Sequence, residues 1–232
     1  MRADDVDLPL APLPSGRHGL PREEVVRSQR IRLLRAAVEV AGAEGYAGMT
    51  VSAVIARASV SRKTFYELYA DREDCFVAAY DFVIERGLRQ LGAALTDDAP
   101  WSARMRDGLE WALAALAAHP CEARVAFVEV YAAGPRALER RDRFAGQLAL
   151  LVAEGAAAAP AGVTVPSSTP RAVVGALSEL IGMRIRHGLV ERLPDLLPDL
   201  LYCALAPFLG PVGAIEAAAG GLRSLAAGGR GG

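Results

Sequence analysis

The sequence is poor in lysine, aromatic side chains, cysteine and histidine. Lys63 is the only lysine among 26 basic residues, and aromatic residues make up 6% of the chain. The three cysteines and three histidines are scattered, without CxxC or Cys/His spacing, so we expect neither a disulfide framework nor a metal site. Because the chain also lacks a glycine-rich phosphate loop and any Ser/His/Asp arrangement, we expect no cofactor and no enzyme.

Long apolar runs and targeting signals are also scarce. The start of the chain, "MRADDVDLPLAPLPSG", is acidic and interrupted by prolines, which is unlike a signal peptide. The longest uncharged apolar stretch, residues 200–215, contains Pro207, Gly210 and Pro211 and is short for a bilayer span. We therefore expect a soluble cytoplasmic protein without a membrane partner.

Alanine, leucine and arginine are abundant, and β-branched runs are rare. This composition predicts an all-α protein, with about nine helices separated by proline and glycine breaks.

Charge is uneven along the chain. Residues 17–72 hold ten basic and six acidic side chains, a net charge of +4, whereas the whole chain carries −1. An anionic partner that binds the N-terminal third would suit this distribution.

The N-terminal third contains two short helix patterns between two longer ones. The first long helix is predicted over about residues 23–43, with Ile31, Leu34, Val38 and Ala41 on its buried face. Thr50 and Ser61 are typical N-cap residues, and each precedes a short apolar pattern. Asp71, followed by Asp74 three residues later, resembles a capping box for a fourth helix that runs to about residue 95. Further helices are predicted over 101–118, 120–132, 136–157, 170–188 and 194–209.

Two short helices joined by a tight turn are typical of a helix-turn-helix. The start of the second short helix then faces the base edges of a major groove, and hydroxyl, basic and tyrosine side chains there can contact bases or phosphates. The candidate DNA contacts are Thr50, Ser61, Arg62, Lys63, Thr64, Tyr66 and Arg72. Phe65 and Leu68 lie three residues apart on the same helix and are predicted to be core.

The stretch "TVSAVIARASVSRKTFYELYADREDCF", residues 50–76, resembles the DNA-binding signature of the TetR family of bacterial regulators. The shared features are the threonine-capped helix, the "A-x-V-S" turn, "T-F-Y-x-x-Y" and the charged cap, and the resemblance covers about residues 28–88. Two positions depart from the family pattern. Ser59 occupies a turn position that is usually glycine, which predicts strain if the turn needs a positive φ, and Lys63 replaces a small residue.

The resemblance implies a small three-helix DNA-binding head on a larger helical body. It also implies a homodimer, formed through about residues 170–209, and a small apolar or amphipathic effector in the body. The candidate pocket residues are Trp111, Phe127, Tyr131 and Met183, which lie on helices that border the cavity in relatives. The predicted organisation is a flexible arm (1–21), a head (22–70), a ligand-binding and dimerisation body (71–215) and a flexible tail (216–232).

These observations predict a DNA-binding transcriptional regulator, a ligand-responsive repressor that binds a palindromic operator as a homodimer. Two alternatives stay open at this point. One is a DNA-binding dimer without a small-molecule ligand, and the other is an all-α enzyme, which no residue arrangement in the sequence supports.

Overall fold

The computed structural model of the chain describes residues 21–94, 99–161 and 164–228. The described residues form nine α-helices and no strand, which confirms the all-α prediction. The helices are α1 (Arg22–Gly48), α2 (Val51–Ala58), α3 (Arg62–Leu68), α4 (Arg72–Ala94), α5 (Trp101–Ala118), α6 (Pro120–Phe127), α7 (Pro135–Ala153), α8 (Thr169–Arg186) and α9 (Leu197–Gly228). Three 3-10 helices lie at Glu129–Tyr131, Glu154–Ala158 and Val190–Leu196.

The described residues divide into two compact units. The first consists of residues up to Arg86 together with Cys121–Arg140, and the second of Gly87–Pro120 together with the chain from Arg141 onward. Residues 1–20 of the predicted arm lie outside the described residues. The predicted tail includes residues 216–228, whose backbone belongs to α9. The division into head, body and flexible ends stays a prediction.

The core of the first unit is built from α1 to α4, and it includes the apolar face predicted for α1. Ile31, Leu34, Val38 and Ala41 are all buried. Phe65 from α3 and Phe76 from α4 are fully buried in the same unit, and Phe76 packs edge-on against Tyr46 with the ring centroids 5.1 Å apart. These contacts hold the short helix α3 in place, because seven residues are too few to be stable as an isolated helix.

The core of the second unit surrounds Trp101, the first residue of α5. Its indole packs edge-on against Phe208 at 5.1 Å between ring centroids, and its Nε1 donates to the carbonyl of Leu151 at 3.2 Å. Gly155 is buried against this ring, and a Cβ at that position would lie 2.4 Å from an indole carbon. Only glycine allows so close an approach of backbone to ring.

Several helix ends differ from the sequence-based prediction. The helix predicted to end at about residue 43 continues to Gly48, across a break at Gly45, where φ is +78°. The helix predicted over 120–132 is α6 followed by a separate 3-10 turn, and the one predicted over 136–157 is α7 followed by another. Both ends shift because the final residues make the tighter 3-10 turn, which side-chain periodicity does not distinguish from α-helix.

The last helix differs most from its predicted span of 194–209. α9 starts at Leu197 and continues to Gly228 through a kink at Gly210, where φ is +73°. Gly210 and Pro211 therefore bend the helix without ending it. The stretch Val190–Ala218 is long and apolar enough to cross a membrane by length and composition alone, but a third of its most apolar window is buried inside the protein.

Candidate nucleic-acid interface

The turn between α2 and α3 contains a left-handed residue. Ser59 adopts φ 52° and ψ 49°, so the turn does need the positive φ on which the predicted strain depended. Among the described residues, Ser59 is the only non-glycine residue with a positive φ. The N–H of Val60 donates to the carbonyl of Ile55 at 3.1 Å, a bond typical of a Schellman helix end. A non-glycine residue in this conformation is strained by about 1 kcal/mol or more.

A long-range arginine holds this turn from α1. Arg32 Nη2 donates to the carbonyl of Ser59 at 2.5 Å and also to the carbonyl of Ala58. These carbonyls lie at the C-terminal end of α2, where a cation is favoured by the helix dipole. Arg57 near the same end pairs with Glu39 of α1 at 2.5 Å. The spacing of α2 and α3 therefore depends on α1 as well as on the turn itself.

Two of the predicted contact residues, Thr50 and Ser61, also cap the two short helices. Thr50 Oγ1 accepts from the N–H of Ala53 at 3.1 Å, and Ser61 Oγ accepts from the N–H of Thr64 at 3.0 Å. The hydroxyls of Ser61 and Thr64 lie 2.9 Å apart and share a hydrogen bond. Because a hydroxyl oxygen has two lone pairs and one donor, capping does not use up its bonding capacity. Both predicted caps are confirmed.

The predicted base-reading pair stands at the exposed start of α3. Arg62 Nη2 donates to Ser52 Oγ of α2 at 3.0 Å. Lys63 Nζ lies 3.8 Å from Glu67 Oε1 one turn further along α3, and the lysine side chain is 85% exposed. An exposed pair of this kind contributes only a few tenths of a kcal/mol to stability, about 0.3–0.5 for an i,i+4 pair. Lys63 is therefore accessible to a partner.

Phe65 and Tyr66, consecutive residues of α3, differ in burial. Phe65 is fully buried, as predicted, whereas Tyr66 is half exposed. The two rings meet edge-on with centroids 5.4 Å apart, so the buried ring supports the exposed one. A tyrosine supported in this way can present its hydroxyl to a phosphate without leaving its own domain.

Arg72 has protein partners that the sequence did not reveal. Its guanidinium carbon lies 4.3 Å from the centroid of the Tyr46 ring, a cation–π contact. Its Nη1 is also 3.5 Å from the carbonyl oxygen of Tyr46 and 3.4 Å from that of Ala47. Arg72 therefore fastens the start of α4 to the end of α1, and its predicted phosphate contact stays a prediction.

A buried carboxylate, missed in the sequence, holds the same end of α1. Glu129 Oε2 accepts from the N–H of Tyr46 at 2.8 Å, and Oε1 accepts from Arg124 at 2.7 Å. Gly45 interrupts α1 just before Tyr46, so the carboxylate caps the last turn of α1 from the 3-10 turn Glu129–Tyr131. Within the part of the chain that the structure describes, Glu129 is the buried charged residue, with 7% of its surface exposed. An isolated glutamate in the sequence gives no signal of this role.

The start of α4 carries a second acidic network. Asp71 Oδ1 accepts from the N–H of Asp74 at 2.7 Å, while Asp74 Oδ2 accepts from the N–H of Ala70 at 3.1 Å. This confirms Asp71 as the predicted cap of α4, whereas the reciprocal bond of Asp74 goes to Ala70 instead of Asp71. Burial alone would raise the pKa of Asp74, but hydrogen bonds from Arg136 and from Ala70 outweigh it, and the pKa lies below its usual value. The carboxylate is thus charged at neutral pH and links α4 to the start of α7.

The predicted effector-pocket residues fall in different units. Phe127 and Tyr131 belong to the first unit, and Trp111 and Met183 to the second. Tyr131 and Met183 are exposed large hydrophobic residues, whereas Trp111 and Phe127 are half-buried. The pocket therefore stays a prediction.

A groove of about 730 Å³ opens in the first unit between α1 and α4, and it is lined by none of the four predicted pocket residues. Its lining combines arginines, acidic residues and apolar side chains. Among the described residues, no group of three or more His, Cys, Asp and Glu could hold a metal ion.

Two capped short helices, a left-handed turn between them and an exposed basic start of the second helix define a helix-turn-helix DNA-binding domain. Residues 33–79 match the model of a family described as bacterial regulatory proteins, tetR family. This match confirms the resemblance found in the sequence, and the chain is a DNA-binding transcriptional regulator with a tetR-like N-terminal domain.

Solved structures of similar fold extend the likeness beyond the head. The fatty acid degradation regulator FadR from Bacillus halodurans is 17% identical, with a TM-score of 0.66 over 78% of this chain and 94% of that one. FadR from Bacillus subtilis in complex with stearoyl-CoA is 17% identical, with a TM-score of 0.65 over 78% and 98%. The multidrug binding protein EbrR complexed with imidazole is 22% identical, with a TM-score of 0.53 over 74% and 94%. At these identities the likeness establishes the fold. No curated protein matches the chain.

Proposed function

We propose that the chain is a ligand-responsive repressor that binds a near-palindromic operator as a homodimer in the cytoplasm. The observation that carries the proposal is the exposed start of α3, where Arg62 and Lys63 stand side by side. The helix dipole disfavours two cations at a helix N-terminus, by a few tenths of a kcal/mol or more. Their presence there suits an anion outside the helix. We therefore assign the DNA contacts to Thr50, Ser61, Arg62, Lys63, Thr64 and Tyr66, with Arg72 as a further phosphate contact.

The proposed dimer uses the outer faces of α8 and α9. The apolar stripes of these helices, such as Ile181 and Ile185 on α8 and Leu200 on α9, are buried within the second unit. Other large apolar side chains remain exposed: Met183 is 38% exposed, Tyr202 42%, Val212 69% and Ile215 59%. An exposed apolar surface on two neighbouring helices supports an interface between two copies of the chain. Val212 and Ile215 extend it beyond the predicted limit at residue 209.

The dimer can be tested with one charged substitution. Val212→Glu is expected to convert the dimer to a monomer in light scattering and to weaken operator binding, because a charge cannot be buried unpaired in an apolar interface. The matched control is Leu150→Glu on α7, which is 72% exposed and should leave the dimer intact. A Val212→Glu variant that remains dimeric would contradict this interface.

The proposed effector is a small apolar or amphipathic molecule that binds the body. Two similar folds were solved in complex with stearoyl-CoA and with imidazole, which supports ligand control here by analogy. A ligand that binds the folded state raises its apparent stability, so a thermal-shift screen that includes acyl-CoA compounds tests the idea. If ligands neither stabilise the protein nor release its DNA, control by another protein or by abundance is the better account.

The DNA-binding part is tested by unbiased selection. Purified protein is incubated with random DNA fragments at moderate salt, and the bound fragments are sequenced. We expect enrichment of an inverted repeat, because a two-fold symmetric dimer reads two equivalent half-sites. Failure to enrich any sequence would contradict the regulator proposal as a whole.

A further inference from the structure

The two cations at the start of α3 are restrained in different ways. Arg62 donates to the neutral hydroxyl of Ser52 on α2, at 3.0 Å. Lys63 faces the carboxylate of Glu67 on its own helix, at 3.8 Å. A carboxylate partner offsets part of the lysine charge, whereas a hydroxyl partner leaves the arginine charge intact. Arg62 therefore combines an oriented side chain with full attraction for DNA.

Orientation matters more for arginine than for lysine. The guanidinium is a planar fork of five N–H donors, and it reads a guanine or grips a phosphate through two parallel bonds. The bond to Ser52 uses one of the five donors and restrains the orientation of the rest. A long side chain that is already fixed loses less rotamer freedom when it binds, so the affinity is higher.

The hydroxyl of Ser52 has no capping role in its own helix. Ser52 is the second residue of α2, and Thr50 already caps that helix through the N–H of Ala53. Ser52 and Arg62 are both exposed, so their bond does not satisfy a buried group. A bond between exposed polar side chains adds little to folding stability. The bond between Ser52 and Arg62 is therefore expected to affect DNA binding more than stability.

We propose that Ser52 is a positioning residue for DNA recognition, and that its hydroxyl holds the guanidinium of Arg62 in the plane in which it meets DNA. The inference rests on the proposed DNA-binding function and adds Ser52, on the first helix of the motif, to a site otherwise assigned to helix ends and α3. Ser52 itself need not touch the duplex.

A double-mutant cycle tests this role on the full-length protein and the operator obtained by selection. Ser52→Ala is expected to weaken operator binding by about two- to tenfold, the equivalent of the rotamer freedom of one long side chain. Its loss of base preference should fall at the same base pairs as that of Arg62→Ala. In the Arg62→Ala background, Ser52→Ala should have no further effect. Ser52→Thr, which keeps the hydroxyl, should restore wild-type affinity.

Ser167→Ala is the matched control, since Ser167 is an exposed serine just before α8 and should leave binding unchanged. Equal losses from Ser52→Ala in both backgrounds would overturn the proposal, because they would show a direct contact of Ser52 with DNA. Wild-type binding by Ser52→Ala would overturn it as well. The proposed function is tested by a different result. It would be contradicted if the wild-type protein selected no DNA sequence, whereas the outcomes above concern only the role of Ser52.

Discussion

Replacement of Glu129 by glutamine should loosen the end of α1 without removing the side chain. The carboxylate accepts two charge-assisted hydrogen bonds, from Tyr46 N–H at 2.8 Å and from Arg124 at 2.7 Å. Glutamine has a single acceptor oxygen, so its amide group must turn donor hydrogens toward one of these two donors. The variant keeps one bond, loses the other and places two donors face to face.

The size of the effect follows from burial. A hydrogen bond to a charged group contributes about 1.5–3 kcal/mol. The side chain of Arg124 is 38% exposed and can bind water when its partner is lost, which reduces the cost. We therefore expect Glu129→Gln to lower the free energy of unfolding by about 1–2 kcal/mol and Glu129→Ala by about 2–4 kcal/mol. The matched control, Glu179→Gln, breaks the exposed pair with Arg186 and should change stability by less than about 0.5 kcal/mol.

Two measurements check this expectation. Urea unfolding at a fixed protein concentration gives the change in stability, and amide hydrogen exchange followed at Tyr46 reports the local bond directly. The Tyr46 amide should exchange faster in both Glu129 variants and at the wild-type rate in Glu179→Gln. If Glu129→Gln unfolds like the wild type and Tyr46 exchanges no faster, the carboxylate does not hold this turn and the reasoning is wrong.

Four further predictions follow from other sites. Ser59→Gly should raise the free energy of unfolding by about 0.5–1 kcal/mol, because relief of left-handed strain outweighs the added freedom of the unfolded chain; an unchanged urea midpoint would argue against strain. Lys63→Ala should weaken operator binding by about 1–3 kcal/mol and relax preference at one base pair; an even loss across sequences with a shallower salt dependence would instead mark a phosphate contact. Gly155→Ala should cost about 1–3 kcal/mol in urea unfolding through overpacking against the buried indole, whereas Gly175→Ala on the open side of α8 should be neutral or stabilising; equal effects would contradict the packing account. The pKa of Asp74 is lowered on folding, so its stabilisation is present above the unfolded pKa of about 3.9 and is lost as the pH falls through the folded value; the stability gap between wild type and Asp74→Asn should shrink from about pH 7 to about pH 3, and a constant gap would refute it.

Features encoded by neighbouring residues were predictable from the sequence. Thr50 and Ser61 cap the helices that follow them, and the bonds they make span only three residues. The turn motif marked Ser59 as a position that would be strained if the turn needed a positive φ, and its φ is 52°. The start of the interface could therefore be assigned from a short stretch of chain.

Features that depend on distant residues were not predictable. Glu129 binds Tyr46 from 83 residues away, and Arg32 reaches the carbonyl of Ser59 across 27 residues. Neither Glu129 nor Arg32 stands out in the sequence, because each contact depends on a partner that is distant along the chain. The continuation of α9 past Gly210 was missed for a related reason, since tertiary packing maintains a helix that local glycine and proline signals would end.

Because the chain has a single lysine, α3 carries a reactive group that no other helix has. Apart from the α-amino group, Lys63 carries the sole primary amine in the protein, and its side chain is 85% exposed. An amine-reactive reagent therefore labels the wild-type protein at one side chain, on the proposed DNA-binding surface. Protection of that amine by added DNA, read by mass spectrometry, would report occupancy of the site without any mutation, and the peptide that contains Lys63 would identify where the reagent had reacted.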